Sequence, residues 1–188
     1  ERYKMPFDSM NESIPFGQAK NQGDSYYTPE YVYRKLPIDW SNYKTAYEPS
    51  MGDGRILHFL EEQGIEADGG DILYGEEEDF FEFEKKVDLI ITNPPFSKAQ
   101  EFVEYALLWA DTVIVLQQQN FLGSKKRFEF WCENPCDATF LLNTQVKFGG
   151  SGGGLRGYVQ WYVWQKKQKH IKPGNWIYQN DGKTNYPK

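Results

Sequence analysis

The sequence predicts an α/β domain: a mostly parallel sheet with helices on both faces, closed by an antiparallel strand pair. Three observations predict it. Strand-like and helix-like segments alternate from Thr45 to Trp131. Two of the strands, Val87-Asp88-Leu89-Ile90-Ile91 and Thr112-Val113-Ile114-Val115-Leu116, are the near-continuous apolar runs that a parallel sheet buries on both faces. The chain has 188 residues, 39% hydrophobic and 17% aromatic, enough for one domain with its own core.

The elements follow in order. Residues 1–25 are polar and punctuated by Pro6, Pro15, Gly17 and Gly23, which reads as an irregular arm. Thr28-Pro29-Glu30 opens a helix: Thr28 suits the cap, Pro29 the first turn and Glu30 the positive end. That helix runs to about Leu36, before Pro37. Thr45-Ala46-Tyr47 is a short strand entering the turn Glu48-Pro49-Ser50-Met51-Gly52-Asp53-Gly54. Ile56, Leu57, Phe59 and Leu60 recur at helical spacing until Gly64 stops them. Ile65 to Ile72 is a weaker strand. Phe102, Val103, Ala106, Leu107 and Ala110 mark a helix between the two apolar strands, and Ser124 can cap another that runs through Trp131. Thr139–Phe148 and Gly157–Gln165 pair as a hairpin across the glycine-rich Gly149–Gly154. Residues 26–168 thus form the folded domain and 169–188 a tail.

Several function classes are excluded. No stretch of about 18 apolar residues occurs, so no membrane span is expected. Glu1–Phe7 lack the basic-then-apolar order of a secretory signal, and Cys132 and Cys136 cannot build a disulfide framework, which together point to a reducing cytoplasm. Those two cysteines with the distant His58 and His170 do not make a zinc site, and neither histidine has an obvious nucleophile for a triad. The net charge of -6 argues against nucleic-acid binding by bulk charge, but it is unevenly spread. Glu61–Asp88 carries a local charge of -10 and the remainder sums to +4, with the basic excess mainly after Asn120.

Sheets of this kind bind ligands beyond the carboxyl ends of their strands, and chemically suggestive residues fall there. After the Val87 strand comes Asn93-Pro94-Pro95-Phe96. Asn93 offers a carbonyl acceptor, the two prolines remove backbone donors and leave carbonyl acceptors, and Phe96 supplies a flat face. Such a set fits a planar amino group. After the first strand, Gly52 and Gly54 let the backbone approach a ligand and enter a helix. The third glycine of a dinucleotide fingerprint is missing, with Leu57 at that spacing, which disfavours a nicotinamide enzyme. Asp71 ends the second strand region where an acid can accept two ribose hydroxyls, and the pair Asp79-Phe80 precedes the Asn-Pro-Pro-Phe strand.

These motifs resemble those of the amino-group methyltransferases that use S-adenosylmethionine, most closely the adenine-N6 DNA methyltransferases in a small, phage-like form. The resemblance spans about Tyr26 to Gln165. It implies a Rossmann-like methyltransferase fold with a seven-stranded sheet and a C-terminal antiparallel hairpin. It implies that Asn93 and Pro94 bind the target amine, with Pro95 beside them, and that Phe96 stacks on a base flipped out of the duplex. Glu48-Pro49-Ser50-Met51-Gly52-Asp53-Gly54 resembles the family's cofactor loop, so Glu48, Pro49, Ser50, Gly52 and Gly54 would border the methionine part, with Glu48 holding its cationic amino group. Asp71 would take the ribose, Asp79 and Phe80 the cofactor's adenine, and backbone N–H groups at Tyr27-Thr28-Pro29 the carboxylate. Asn93 would also border the cofactor. Lys125, Lys126, Arg127 and Lys147 are candidate phosphate contacts. DNA is the expected partner, with RNA adenine or a protein glutamine amide as alternative substrates. A further alternative is a non-catalytic subunit that binds nucleic acid or cofactor in a larger assembly. The large members' recognition domain has no counterpart here, so the expectation is either methylation of low sequence selectivity or recognition supplied by another chain, a recognition subunit or the second copy in a homodimer.

Overall fold

The two apolar runs become neighbouring strands at the centre of the sheet. The computed structural model describes residues 28–75, 79–148, 156–167, 169–178 and 184–185. Its elements are α1 (Glu30–Tyr33), β1 (Thr45–Glu48), α2 (Arg55–Glu62), β2 (Glu66–Gly69), β3 (Val87–Thr92), α3 (Ala99–Trp109) and β4 (Ala110–Gln118). They continue through α4 (Phe128–Glu133), β5 (Ala138–Leu142), β6 (Val146–Lys147), β7 (Arg156–Gly157), β8 (Val159–Gln165), β9 (Gly174–Tyr178) and β10 (Thr184–Asn185). One sheet holds eight strands in the order β2-β1-β3-β4-β8-β5-β9-β10, while β6 and β7 pair separately. β2, β1, β3 and β4 are parallel. β8 is antiparallel to β4 and β5, β9 is parallel to β5 and β10 antiparallel to β9.

Alternation along each central strand feeds two cores. Leu89 and Ile91 of β3, Ile114 and Leu116 of β4, and Trp161 and Val163 of β8 face α1 and α2, meeting Val32, Tyr33, Phe59 and Leu60. Ile90, Val113, Val115, Tyr162 and Trp164 face the other side and meet Phe80, Phe102, Val103 and Phe130. Helices therefore cover both faces, as the apolar runs predict.

Several expectations are corrected in detail. The sheet has eight strands, not seven. The expected tail 169–188 supplies the extra pairing, because buried Gln165 turns the chain back. Its amide donates to Ile171 O and accepts from Ile171 N, both at 2.8 Å, and Trp176 then packs into the core. The expected antiparallel pair is present as β5 and β8, with β8 running between β4 and β5. The expected strand Thr139–Phe148 is two short ones, and Gly149–Gly154 and the arm 1–25 lie outside the described residues. The first helix stops at Tyr33, earlier than Leu36, consistent with the bias of a pre-proline residue against helix. The helix expected from Ser124 begins as a 3-10 turn over Lys125–Arg127 before α4.

α1 is short but firmly held. Val32 and Tyr33 are fully buried, and Arg34 forms a two-pronged pair with Glu62 of α2, at 2.6 and 3.2 Å. The buried Trp161 indole donates to Val32 O at 3.0 Å across 129 residues of sequence. We predict that Trp161→Phe destabilises the protein by about 2 kcal/mol through lost packing volume and the lost hydrogen bond. The denaturant midpoint at unchanged slope would measure it.

Candidate active site

Two loops at the carboxyl ends of β1 and β2 are sewn into one wall. Gly70 N donates to Glu48 O at 3.1 Å and Met51 N donates to Gly70 O at 3.2 Å. Asp71 caps the 3-10 turn Ile72–Tyr74, accepting from Leu73 N at 3.0 Å on one oxygen. Its other oxygen accepts from Gly52 N, also at 3.0 Å, and the Tyr74 hydroxyl donates to Gly52 O. Gly52 and Gly54 have φ of 56° and 77°, which side-chain-bearing residues rarely adopt. Gly69 is also constrained: a Cβ there would stand 3.0 Å from Glu48 O. Ser50 and Met51 are half-buried and Pro49 is buried, so the turn presents mainly backbone.

Glu48 ends β1 with 2% of its surface exposed, and its Oε2 has no hydrogen-bond partner among the described residues. Burial pushes this carboxyl well above the usual carboxylate range. The Leu57 backbone N–H opposes the shift, and the negative charges of Asp53 and Asp71 reinforce it. A buried acid with an open oxygen suits a cationic partner.

The second part of the site follows β3. Tyr47 of β1 is level with Ile90 of β3, so Asn93 lies just beyond Glu48 on the adjacent strand. Pro94 is buried, and Asn93, Pro95 and Phe96 are half-buried. A 3-10 turn over Phe96–Lys98 carries the chain into α3. Phe96 meets Phe148 edge-to-face, with centroids 6.1 Å apart. Asn93 Nδ2 donates to Thr28 Oγ1 at 3.0 Å. The structure thus brings the Thr28-Pro29, Glu48–Gly54 and Asn93–Phe96 segments to one end of the sheet.

Other expected residues divide. Tyr27 lies outside the described residues. Thr28 does not cap α1, whose cap position is Pro29 with no side-chain cap bond, and a helix of four residues offers little dipole for a carboxylate. Asp79 begins a 3-10 turn and accepts from Phe81 N at 3.1 Å. Phe80 is a core residue, 2% exposed, against Tyr47, Phe102 and Tyr105. Lys125 and Lys126 are exposed, while the Arg127 guanidinium lies 4.7 Å over the Phe121 ring. Lys147 lies in β6.

Sequence reasoning missed the contact of Thr28 with Asn93 and the rings near the basic turn. Leu122, Phe128 and Tyr158 are 49%, 69% and 54% exposed. Leu122 and Phe128 border a groove of about 580 Å³ that Lys125 and Trp131 also line. The run Lys-Lys-Arg-Phe at 125–128, basic residues followed by an aromatic one, was the available signal.

Comparison with known proteins agrees with this geometry. The sequence model of the family described as adenine-specific methyltransferase EcoRI matches residues 42–149. The match takes in Glu48, Asp71, Asp79 and Asn93–Phe96 and leaves Thr28 outside. No curated protein matches the chain. A protein of Pyrococcus horikoshii assigned provisionally to the RNA methyltransferases superposes with a TM-score of 0.63 at 17% identity, over 79% of this chain and 94% of that one. The type IIG restriction endonuclease BpuSI gives 0.55 at 11% identity, over 86% of this chain and 28% of that one. A Listeria monocytogenes protein assigned provisionally to the class I S-adenosylmethionine-dependent methyltransferases gives 0.51 at 14%, over 80% and 61%. At such identities these likenesses show the fold, which is the Rossmann-like methyltransferase fold.

The raised carboxyl of Glu48 makes a stability prediction. Its folded-state value lies above its unfolded one, so its contribution is complete below the ordinary carboxylate range and is lost as pH rises through the folded value. Glu48→Gln, which stays neutral, should raise the melting temperature of the ligand-free protein near pH 8, and the gain should fade toward pH 4. Thermal melts across that range would check it.

Proposed function

The chain belongs to the EcoRI family of adenine-specific methyltransferases and uses S-adenosylmethionine as its cofactor, and on that premise we propose that it methylates the exocyclic N6 amine of adenine in DNA. The observation that carries the reading is Asn93-Pro94-Pro95-Phe96 at the end of β3, inside the family match and beside the Glu48 turn.

The residues at hand fit the cofactor. The open Oε2 of Glu48 is a counter-charge for an α-amino group. Asp71 uses one lone pair on each oxygen for the wall, which leaves a second on each for ribose hydroxyls. Asp79, half-buried at the start of its turn, is the proposed acceptor for the adenine amine. When bound, S-adenosylmethionine supplies a methyl group made electrophilic by its sulfonium.

The chain's own residues then have three tasks. Asn93 and the Pro94 carbonyl accept the two N–H bonds of the target amine and orient its nitrogen. An exocyclic amine is a poor nucleophile because its lone pair is delocalised into the ring. Acceptors that favour a more tetrahedral nitrogen, and that gain strength as positive charge develops there, act more on the transition state than on the ground state. Phe96, braced by Phe148, stacks on the extruded base. No general base with a shifted pKa is required before attack, because the amine attacks while still carrying both protons.

We place the DNA backbone over the exposed Lys125 and Lys126, which follow the carboxyl end of β4.

Methyl-labelled cofactor offered with DNA, RNA and protein in parallel tests the reading. We expect N6-methyladenine in DNA. Label only in RNA or only in protein would replace the substrate class, and no label anywhere would favour a non-catalytic subunit. Asn93→Ala should lower turnover by about two orders of magnitude or more while cofactor affinity holds; near-normal turnover would remove Asn93 from the chemistry. Lys125→Ala with Lys126→Ala should weaken binding to all DNA sequences alike and reduce the salt slope by about two.

A further inference from the structure

We infer that Thr28 is a positioning residue for Asn93: its hydroxyl oxygen holds the Asn93 amide nitrogen, which leaves the amide oxygen as the edge that meets the target amine. The inference rests on the reading of Asn93 as the acceptor for that amine. A primary amide is nearly the same shape in both flipped orientations, so packing alone hardly distinguishes oxygen from nitrogen. The distinction matters to a donor. With the oxygen forward, Asn93 accepts from the amine; with the nitrogen forward, two sets of N–H groups oppose each other. Only hydrogen bonding can choose between them.

Thr28 holds the orientation with the oxygen forward, and the target amine, a donor, favours the same one. Its Oγ1 lies 3.0 Å from Asn93 Nδ2, across 65 residues of sequence. Thr28 is 7% exposed, so little water competes for the bond. Its hydroxyl is not engaged in capping α1, which has no side-chain cap bond. The position is also rigid. Pro29 restricts the backbone beside it, Val32 and Tyr33 are fully buried, and Trp161 holds Val32 O. Thr28 lies outside the family match at 42–149, so this role comes from the fold of this chain.

Thr28→Val keeps the shape and removes the acceptor, whereas Thr28→Ser keeps the acceptor. We expect Thr28→Val to lower kcat roughly fivefold to tenfold, the scale of one hydrogen bond, with cofactor affinity unchanged and Thr28→Ser near wild type. In an Asn93→Ala background, Thr28→Val should cost nothing further, since the group it orients is gone. The Asn93 side-chain amide protons, followed by NMR in the ligand-free protein, should be protected in wild type and Thr28→Ser and exchange faster in Thr28→Val. Should Thr28→Val fail to fold, Thr28→Ala serves for the same measurements. Wild-type kcat in the acceptor-less variant, an equal loss in the Asn93→Ala background, or unchanged amide exchange would each overturn the inference. If Asn93→Ala alone left turnover intact, the reading of Asn93 as the acceptor for the amine would fail, while the exchange measurement would still decide whether Thr28 holds the amide.

Discussion

Burial of both faces of β3 and β4 is the constraint on which the rest of the molecule depends. Leu89, Ile90, Ile91, Val113, Ile114, Val115 and Leu116 are all fully buried. Side chains on such strands serve the core on either face, so polar chemistry is displaced to the strand ends. There the backbone leaves the ladder and its N–H and C=O groups must find other partners. The chain satisfies them by joining neighbouring loops to each other, as Gly70, Met51, Gly52 and Asp71 do. The wall that results is made of backbone held by backbone and by one carboxylate, so it exists before any ligand arrives. Preorganisation of this kind is what a positioning mechanism needs, because ordering a loose loop at the moment of binding would cost free energy.

Acidity at one end of the sheet follows from the same arrangement. Glu48 and Asp71 have separate tasks: Asp71 is tied to the wall through both oxygens, whereas Glu48 is buried with one oxygen open. Their mutual repulsion, and that of Asp53, is one reason Glu48 resists ionisation. A cation entering beside Glu48 would relieve that repulsion and favour the charged form. The same acidic loops would repel a phosphate backbone, whereas the exposed Lys125 and Lys126 after β4 would attract one. The net charge of -6 thus averages two regions of opposite sign.

The features legible in the sequence were those governed by local periodicity or by a motif fixed to a strand end. The apolar runs gave β3 and β4 directly, and Gly52 and Gly54 marked a turn that does need positive φ. Less legible were features set by contacts distant in sequence. Nothing near Gln165 signals that its amide will hold Ile171 and return the chain to the sheet as β9. Thr28 was misread as a helix cap for a similar reason. The Thr-Pro-Glu pattern is a sound local signal, but the partner that takes the hydroxyl is 65 residues away. Phe80 shows a third case: a motif position read for ligand contact is buried in an aromatic cluster with Tyr47 and Phe102. That leaves Asp79, rather than the ring, as the member of the pair with a polar group to offer.

These distant contacts bear on how much of the rate the chain itself can control. In the proposed methyl transfer, with no proton to remove before attack, the protein has few means of acceleration beyond orientation and acceptor dipoles. Both depend steeply on angle, so the partners of Asn93 matter as much as Asn93 does. One of them comes from the segment before the family match, a segment secured by a buried indole, an arginine pair to α2 and two fully buried side chains. The N-terminal segment therefore cannot be treated as a lead-in to the catalytic domain. It is core on one side and holds the Asn93 amide on the other, so the two are joined through residues 28–33.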